Sequence, residues 1–286
     1  VVIDLPDVGA RPYTYVWTAL LMLRACAEAG VGVIVLDRPN PIGGLAIEGP
    51  LLEDDCRSFV GLFPLALRHG MTIGEILALL RAEEELPLDL EIVPLRRWRR
   101  SMHFAETGLP WVPPSPNMPT PETALLYAGM VLLEGTGISE GRGTTKPFEL
   151  AGAPWIEPDR FAAALASAGI GGAFMRPAVF RPTFDKYAGR DCGGVQVHVT
   201  DREAFRPVAC AAAIILTAAE LYPRDFHWTE PPYEYENDKA PIDIIYGGAG
   251  LREAVRSRLA PARLAASWTE GECAFERLRR PFLLYD

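Results

Sequence analysis

The sequence predicts an α/β protein, with a parallel β/α domain over residues 1–152 and an α+β domain over residues 153–286. In the first half, short apolar runs alternate with helix-period segments, which is the pattern of parallel strands joined by crossover helices. From about residue 157 the pattern changes to a strand with one polar face and a long Ala-rich helix. Between about residues 98 and 152 the composition shifts to Pro, Gly, Ser and Thr, and irregular stretches of that length inside a compact protein tend to be functional loops.

The elements follow in order. Residues 1–5 (VVIDL) read as a buried strand. Residues 13–30 read as a helix, with Leu20, Leu23 and Ala27 at helical spacing and Gly30 suited to end it. Residues 31–36 (VGVIVL) are continuously apolar and β-branched, as expected for a strand covered on both faces. Residues 72–85 form a second helix, in which Thr72 and Glu75 supply a capping box, and residues 90–95 a further strand. After the apolar segment 123–133, residues 159–168 read as a helix, 195–199 as a strand with one wet face, 203–221 as a long helix, 250–259 as another helix, and 280–285 as a closing strand.

Composition narrows the function. The 286 residues carry a formal charge of −9, with 28 Lys and Arg against 37 Asp and Glu, so a nucleic-acid backbone is not an expected partner. The longest nearly apolar run, residues 209–219, falls well short of the ~20 residues that span a bilayer. The five cysteines include no CxxC pair, and the four histidines fall in no HxH or HExxH spacing; the cysteines read as small buried hydrophobes and no metal is expected. The chain opens inside a strand pattern without an initiator Met, which points to processing or truncation upstream.

Three loops carry the chemistry. The strand 31–36 runs into Asp37, Arg38, Pro39, Asn40 and Pro41, at the carboxyl end of a parallel strand where ligands bind in open sheets; an Asp–Arg pair that only closes the loop is the alternative. Next, Glu48 sits in AIEGP between Gly/Pro turns, where partial desolvation would raise a carboxyl toward general-acid range, although an exposed loop glutamate would look the same. The second loop, 111–120, combines Trp111 and rigid prolines with Ser115 and Asn117. An indole stacks on the C–H face of a sugar while an amide bonds its hydroxyls; a proline-rich connector is the competing reading. In the third loop, 134–146, glycines alternate with hydroxyls, but Walker spacing fails at each of them and no GxGxxG joins a strand to a helix, so no nucleotide or other cofactor is expected. The carboxylates Glu134 and Glu140 beside Arg142 suit a polar small ligand, acidic or neutral, better, since arginine matches carboxylates bidentately.

DLPDVGAR with YTY, VLDRPNPIGG, IEGP, RHGMTIGE, GLPWVPPSPNMPT, EGTGISEGRGTTKPFELAGAPW, PID and the closing FLLY, in this order, resemble the NamZ-type exo-β-N-acetylmuramidases. This family is glycoside hydrolase family 171, formerly a domain of unknown function and also called YbbC-like. The resemblance implies a Rossmann-like domain, incomplete here at its N-terminus and binding no dinucleotide, followed by a smaller α+β domain. It implies a bacterial hydrolase that removes N-acetylmuramic acid from the non-reducing end of peptidoglycan fragments, in a secreted or periplasmic setting, with a cytoplasmic one left open. Among the catalytic glutamates of the family, one matches Glu48. Another lies in a Pro-Glu-His-Gly motif absent from this chain, and Pro6 stands where the family usually has Gln. Asp37, Arg38, Asn40, Ser115, Asn117, Glu140, Arg142 and Thr144 are then the expected sugar contacts. A non-catalytic muropeptide-binding protein, and an inactive fragment lacking the upstream glutamate, remain the other readings.

Overall fold

The computed structural model describes every residue, Val1–Asp286. Its first half contains β1 (Val2–Ile3), α1 (Tyr15–Ala29), β2 (Val33–Leu36), β3 (Glu48–Leu51), β4 (Ala66–Arg68), α2 (Ile73–Glu83) and β5 (Leu90–Val93). β1, β2 and β5 form a parallel sheet in that order. Because the sheet grows in one direction, two right-handed crossovers place α1 and α2 on the same face. Ile3, Val33 and Val35 are therefore buried, while Val2, Ile34 and Val93 on the other face are exposed. The expectation that strand 31–36 is covered on both faces is corrected accordingly.

Local signals hold where backbone chemistry decides. Gly30 ends α1 in the left-handed region at φ 65°. The Thr72 hydroxyl accepts the Glu75 N–H, and Glu75 accepts the Thr72 N–H, as a capping box. The β3–β4 hairpin was not foreseen, because its strands lie among Gly and Pro residues that depress strand propensity.

The second half comprises α3 (Pro121–Met130), β6 (Leu150–Ala153), α4 (Pro158–Ser167), β7 (Ala173–Phe180), β8 (Cys192–Val199), α5 (Pro207–Leu221), α6 (Pro241–Tyr246), α7 (Gly250–Arg256), α8 (Pro261–Ala266) and α9 (Thr269–Arg279). β6, β8 and β7 form an antiparallel sheet in that order. Val195 and Val197 face the core and His198 faces water, as the alternation predicts. α5 starts at Pro207, whose fixed φ suits a first helical turn.

Two buried clusters result. One gathers β1, β2, α1 and α2, with Phe275 of α9 inserted; the larger gathers α3, β6, α4, β8 and α5 to α8. Arg11 ties them together. Its buried guanidinium donates to the carbonyls of Pro50 and Leu65 on one side, and of Ile245 and Tyr246 at the end of α6 on the other, at 2.7–3.0 Å. Burial among carbonyls without a carboxylate partner lowers the Arg11 pKa to about 9.

The chain end is also corrected. Residues 280–285 form no strand. A short 3-10 turn (Arg280–Phe282) leads into a tail that returns to the first cluster. There the Tyr285 hydroxyl donates to Asp37 at 2.5 Å, Leu284 N–H donates to Glu75, and Arg100 N–H donates to the Asp286 carbonyl. Backbone groups of Leu284 and Asp286, with the Tyr285 hydroxyl, find partners on the first lobe in place of a neighbouring strand. Cys26, Cys56, Cys192 and Cys210 are buried, whereas Cys273 is exposed, against expectation. No helix is long and apolar enough to cross a membrane.

Candidate active site

A cavity of about 610 Å³ lies at the carboxyl ends of β1 and β2, within the size range of small-ligand sites. Asp4, Pro6 and Asp7 line it from the segment after β1, and Arg38, Pro39 and Pro41 from the loop after β2. Its outer wall is the segment 104–114, with Phe104 and Trp111 in edge-to-face contact at 4.8 Å. That wall is fastened at several points. The Trp111 indole N–H donates to the Met118 carbonyl at 3.0 Å, the Tyr15 hydroxyl to the Pro114 carbonyl at 3.0 Å, and the Phe104 N–H to the Pro41 carbonyl at 2.9 Å. The result is a fixed aromatic surface facing acidic and basic groups.

The charged lining is arranged unequally. Arg38 grips Asp4 through Nε and Nη2 at 2.6 and 2.7 Å, which leaves Nη1 unengaged. Asp7 is held by the Gly9 N–H at 2.7 Å, and the same Oδ2 lies 3.2 Å from His69 Nε2. Gly9 achieves this with φ 86°; a Cβ there would come within 2.6 Å of Asn40 Oδ1 and Ile42 Cγ1.

Asp37 and Asn40, predicted ligand contacts, are instead occupied by the fold. Asp37 accepts from Arg38 N–H, Gly74 N–H, the Thr72 hydroxyl and the Tyr285 hydroxyl, and so fixes the start of α2. Burial raises its pKa, and these donors oppose the rise. Asn40 accepts the Ile42 N–H and donates to the Met71 carbonyl, closing its own turn. Ser115 follows the last lining residue, Pro114, with Asn117 two positions beyond in the same loop; neither lines the cavity.

The residue comparisons fall on both lobes. The family model described as Exo-beta-N-acetylmuramidase NamZ, N-terminal, matches residues 1–122, and its C-terminal counterpart matches residues 125–285. The chain belongs to the NamZ exo-β-N-acetylmuramidase family. It is 43% identical over 282 residues to the peptidoglycan beta-N-acetylmuramidase NamZ of Bacillus subtilis (strain 168), covering 99% of this chain and 66% of that protein. The chain thus spans just under two thirds of that relative's length. Two crystal structures of DUF1343 family proteins from Bacteroides fragilis NCTC 9343 share the fold. One has TM-score 0.91 and 32% identity over 100% of this chain and 74% of that one; the other has TM-score 0.79 and 26% identity over 100% and 75%.

Within this NamZ-family chain, Glu48 stands apart from the cavity. It is fully buried on β3, opposite Arg68, and its Oε1 accepts the Ala209 N–H at 2.8 Å in the first turn of α5. Arg206 Nε lies 3.6 Å away, and Oε2 has no partner. Burial raises the Glu48 pKa, against the opposing pull of Arg206 and the α5 amides. The expected desolvation of Glu48 is complete, while the loop placement and the exposed alternative are corrected: β3 carries Glu48 inward, where it holds a helix start.

Glu140, Arg142 and Thr144 form a separate cluster in the second lobe. Arg142 donates to Glu134 at 2.5 Å and approaches Glu140 at 3.3 Å, while Lys186 lies 3.1 Å from the other Glu140 oxygen. Tyr233 caps Glu134 at 2.6 Å, and Thr144 closes a turn onto the Gly141 carbonyl. These groups satisfy one another. The predicted contacts therefore do not share one hollow; among them Arg38 alone lines the cavity. Asp4, Asp7, Tyr15 and Phe104 were not singled out as contacts, although the rule that placed Arg38 at a strand's carboxyl end applies equally to the segment after β1.

Proposed function

We propose that the protein is a glycoside hydrolase that removes N-acetylmuramic acid from the non-reducing end of peptidoglycan fragments, and that the β1/β2 cavity receives the sugar. The observation that carries this reading is the 43% identity, along 99% of the chain, to a peptidoglycan beta-N-acetylmuramidase. The cavity chemistry supports it. Trp111 and Phe104 offer an apolar platform for the C–H face of a pyranose. The unengaged Nη1 of Arg38 suits the lactyl carboxylate that distinguishes a muramyl sugar from N-acetylglucosamine. Ser115 and Asn117, next to the rim, are proposed to reach sugar hydroxyls when the ligand extends past Pro114. A catalytic role for Glu48 requires the 206–209 segment to withdraw from its carboxylate.

Release of free N-acetylmuramic acid from its β-nitrophenyl glycoside, or from a fragment with this sugar at the non-reducing end, tests the proposal. Calorimetric binding of such fragments without any release would instead favour a muropeptide-binding protein on the same fold.

A further inference from the structure

Two carboxylates line the cavity, and only one of them is spent. Both Asp4 oxygens are taken by the Arg38 fork. Asp7 is different: Oδ2 takes the Gly9 N–H, while Oδ1 is buried with no hydrogen-bond donor. A carboxylate oxygen that is itself buried and unpartnered is costly and is expected to be retained where a ligand or a proton completes it.

Two further buried polar atoms lie close to Asp7 without a hydrogen-bond partner of their own. His69 is fully buried, and its Nδ1 accepts the Met71 N–H at 3.2 Å. That leaves the ring proton on Nε2, which lies 3.2 Å from Asp7 Oδ2 at an angle short of a well-formed hydrogen bond. The Tyr13 hydroxyl is likewise buried without a partner, and its ring lies 5.0 Å from that of Tyr15 of the cavity lining, tilted by 56°. Three unsatisfied polar atoms thus lie near one another here; Glu48 Oε2 is also unpartnered, but of these two carboxylates only Asp7 lines the cavity.

We propose that Asp7 is the catalytic carboxylate of this cavity and His69 its positioning residue. The proposal rests on the reading of the cavity as a muramyl-sugar site. Asp7 Oδ1 takes a proton from a water molecule as that water's oxygen bonds to the anomeric carbon. The bond from that carbon to the aglycone oxygen breaks, its electron pair leaves with the aglycone, and the aglycone oxygen is protonated from solvent or departs as an aryl oxide. Asp7 then returns its proton to bulk water. His69, with Nε2 3.2 Å from the other carboxylate oxygen, limits how the carboxylate can turn, and Oδ1, buried in the cavity wall here, is the oxygen left without a donor to serve the reacting centre.

The test uses the whole chain and has two arms. In the first, Asp7→Asn is expected to lower kcat on the nitrophenyl muramide at least 100-fold with KM changed less than threefold. Azide is expected to restore turnover to Asp7→Ala with formation of the glycosyl azide. His69→Leu is expected to lower kcat with KM held, and His69→Gln, which keeps an N–H at the Nε2 position, to recover most of it. Turnover by Asp7→Asn within threefold of the unaltered chain overturns the proposal. The second arm needs no turnover: a cationic muramyl iminosugar, mimicking the positive charge at the anomeric centre, is titrated calorimetrically. The unaltered chain is expected to bind it at least tenfold more tightly than Asp7→Asn. Equal binding, or none to either, overturns the assignment of Asp7, whereas preserved binding selectivity without sugar release would refute the hydrolase reading alone.

Discussion

Glu48 Oε1 receives the Ala209 N–H at 2.8 Å, so a carboxylate on a hairpin of the first half seats the longest helix of the second-half core. Oε2 has no donor, and burial raises the Glu48 pKa. A carboxyl whose folded pKa lies above its unfolded value contributes stability that is complete below the unfolded pKa and is lost as pH rises through the folded one. The stability of Glu48→Gln relative to the unaltered protein is therefore expected to improve as pH rises from about 4 toward neutrality, by no more than about 1.4 kcal/mol per pH unit. Urea unfolding of the two proteins across that range measures it. Glu48→Ala, which removes the acceptor altogether, is expected to be about 2 kcal/mol less stable than Glu48→Gln.

Trp111 is held by its own indole N–H to Met118, so its ring is presented without further ordering. Trp111→Ala is expected to raise KM for the muramyl glycoside roughly 3- to 10-fold, the worth of one aromatic stacking contact. The thermal midpoint is expected to move little, because the residue is half-exposed. Steady-state kinetics beside a melting curve separates the two effects.

Arg38 is expected to set selectivity. Arg38→Met removes the charged partner of a lactyl carboxylate and lowers kcat/KM for the muramyl glycoside roughly 10- to 100-fold, the range for a charge-assisted hydrogen bond. The N-acetylglucosaminide, which lacks the carboxylate, is expected to be affected less than threefold. Parallel assays of the two nitrophenyl glycosides check this.

Arg11 joins the two buried clusters through four backbone carbonyls. Arg11→Met is expected to cost roughly 3 kcal/mol or more, since it strands those acceptors in a dry interior. Denaturant unfolding reads the loss, and a second transition would appear if the two clusters then unfold separately.

The parallel sheet, the Thr72–Glu75 cap and the Gly30 helix end were legible in the sequence because each is dictated by neighbouring residues. The β3–β4 hairpin and the tail on Asp37 were not: they depend on partners far along the chain, and Gly, Pro and Tyr do not announce those partners locally. The same limit applies to the site. Arg38 could be placed because it lies in the loop at the carboxyl end of a parallel strand. Glu140 and Arg142, which look like ligand groups in sequence, find Lys186, Glu134 and Tyr233 instead. Asp7 was overlooked because its distinguishing feature, an oxygen without a donor, exists only in three dimensions.

The role of the β1/β2 cavity is tested most directly by the product formed when the 286-residue chain meets a muramyl-terminated peptidoglycan disaccharide, with Arg38→Met alongside. Free N-acetylmuramic acid is expected from the unaltered chain, and a rate at least tenfold lower from the variant. An unaltered chain that releases no sugar, or a variant that releases it at the unaltered rate, would contradict the assignment of this cavity.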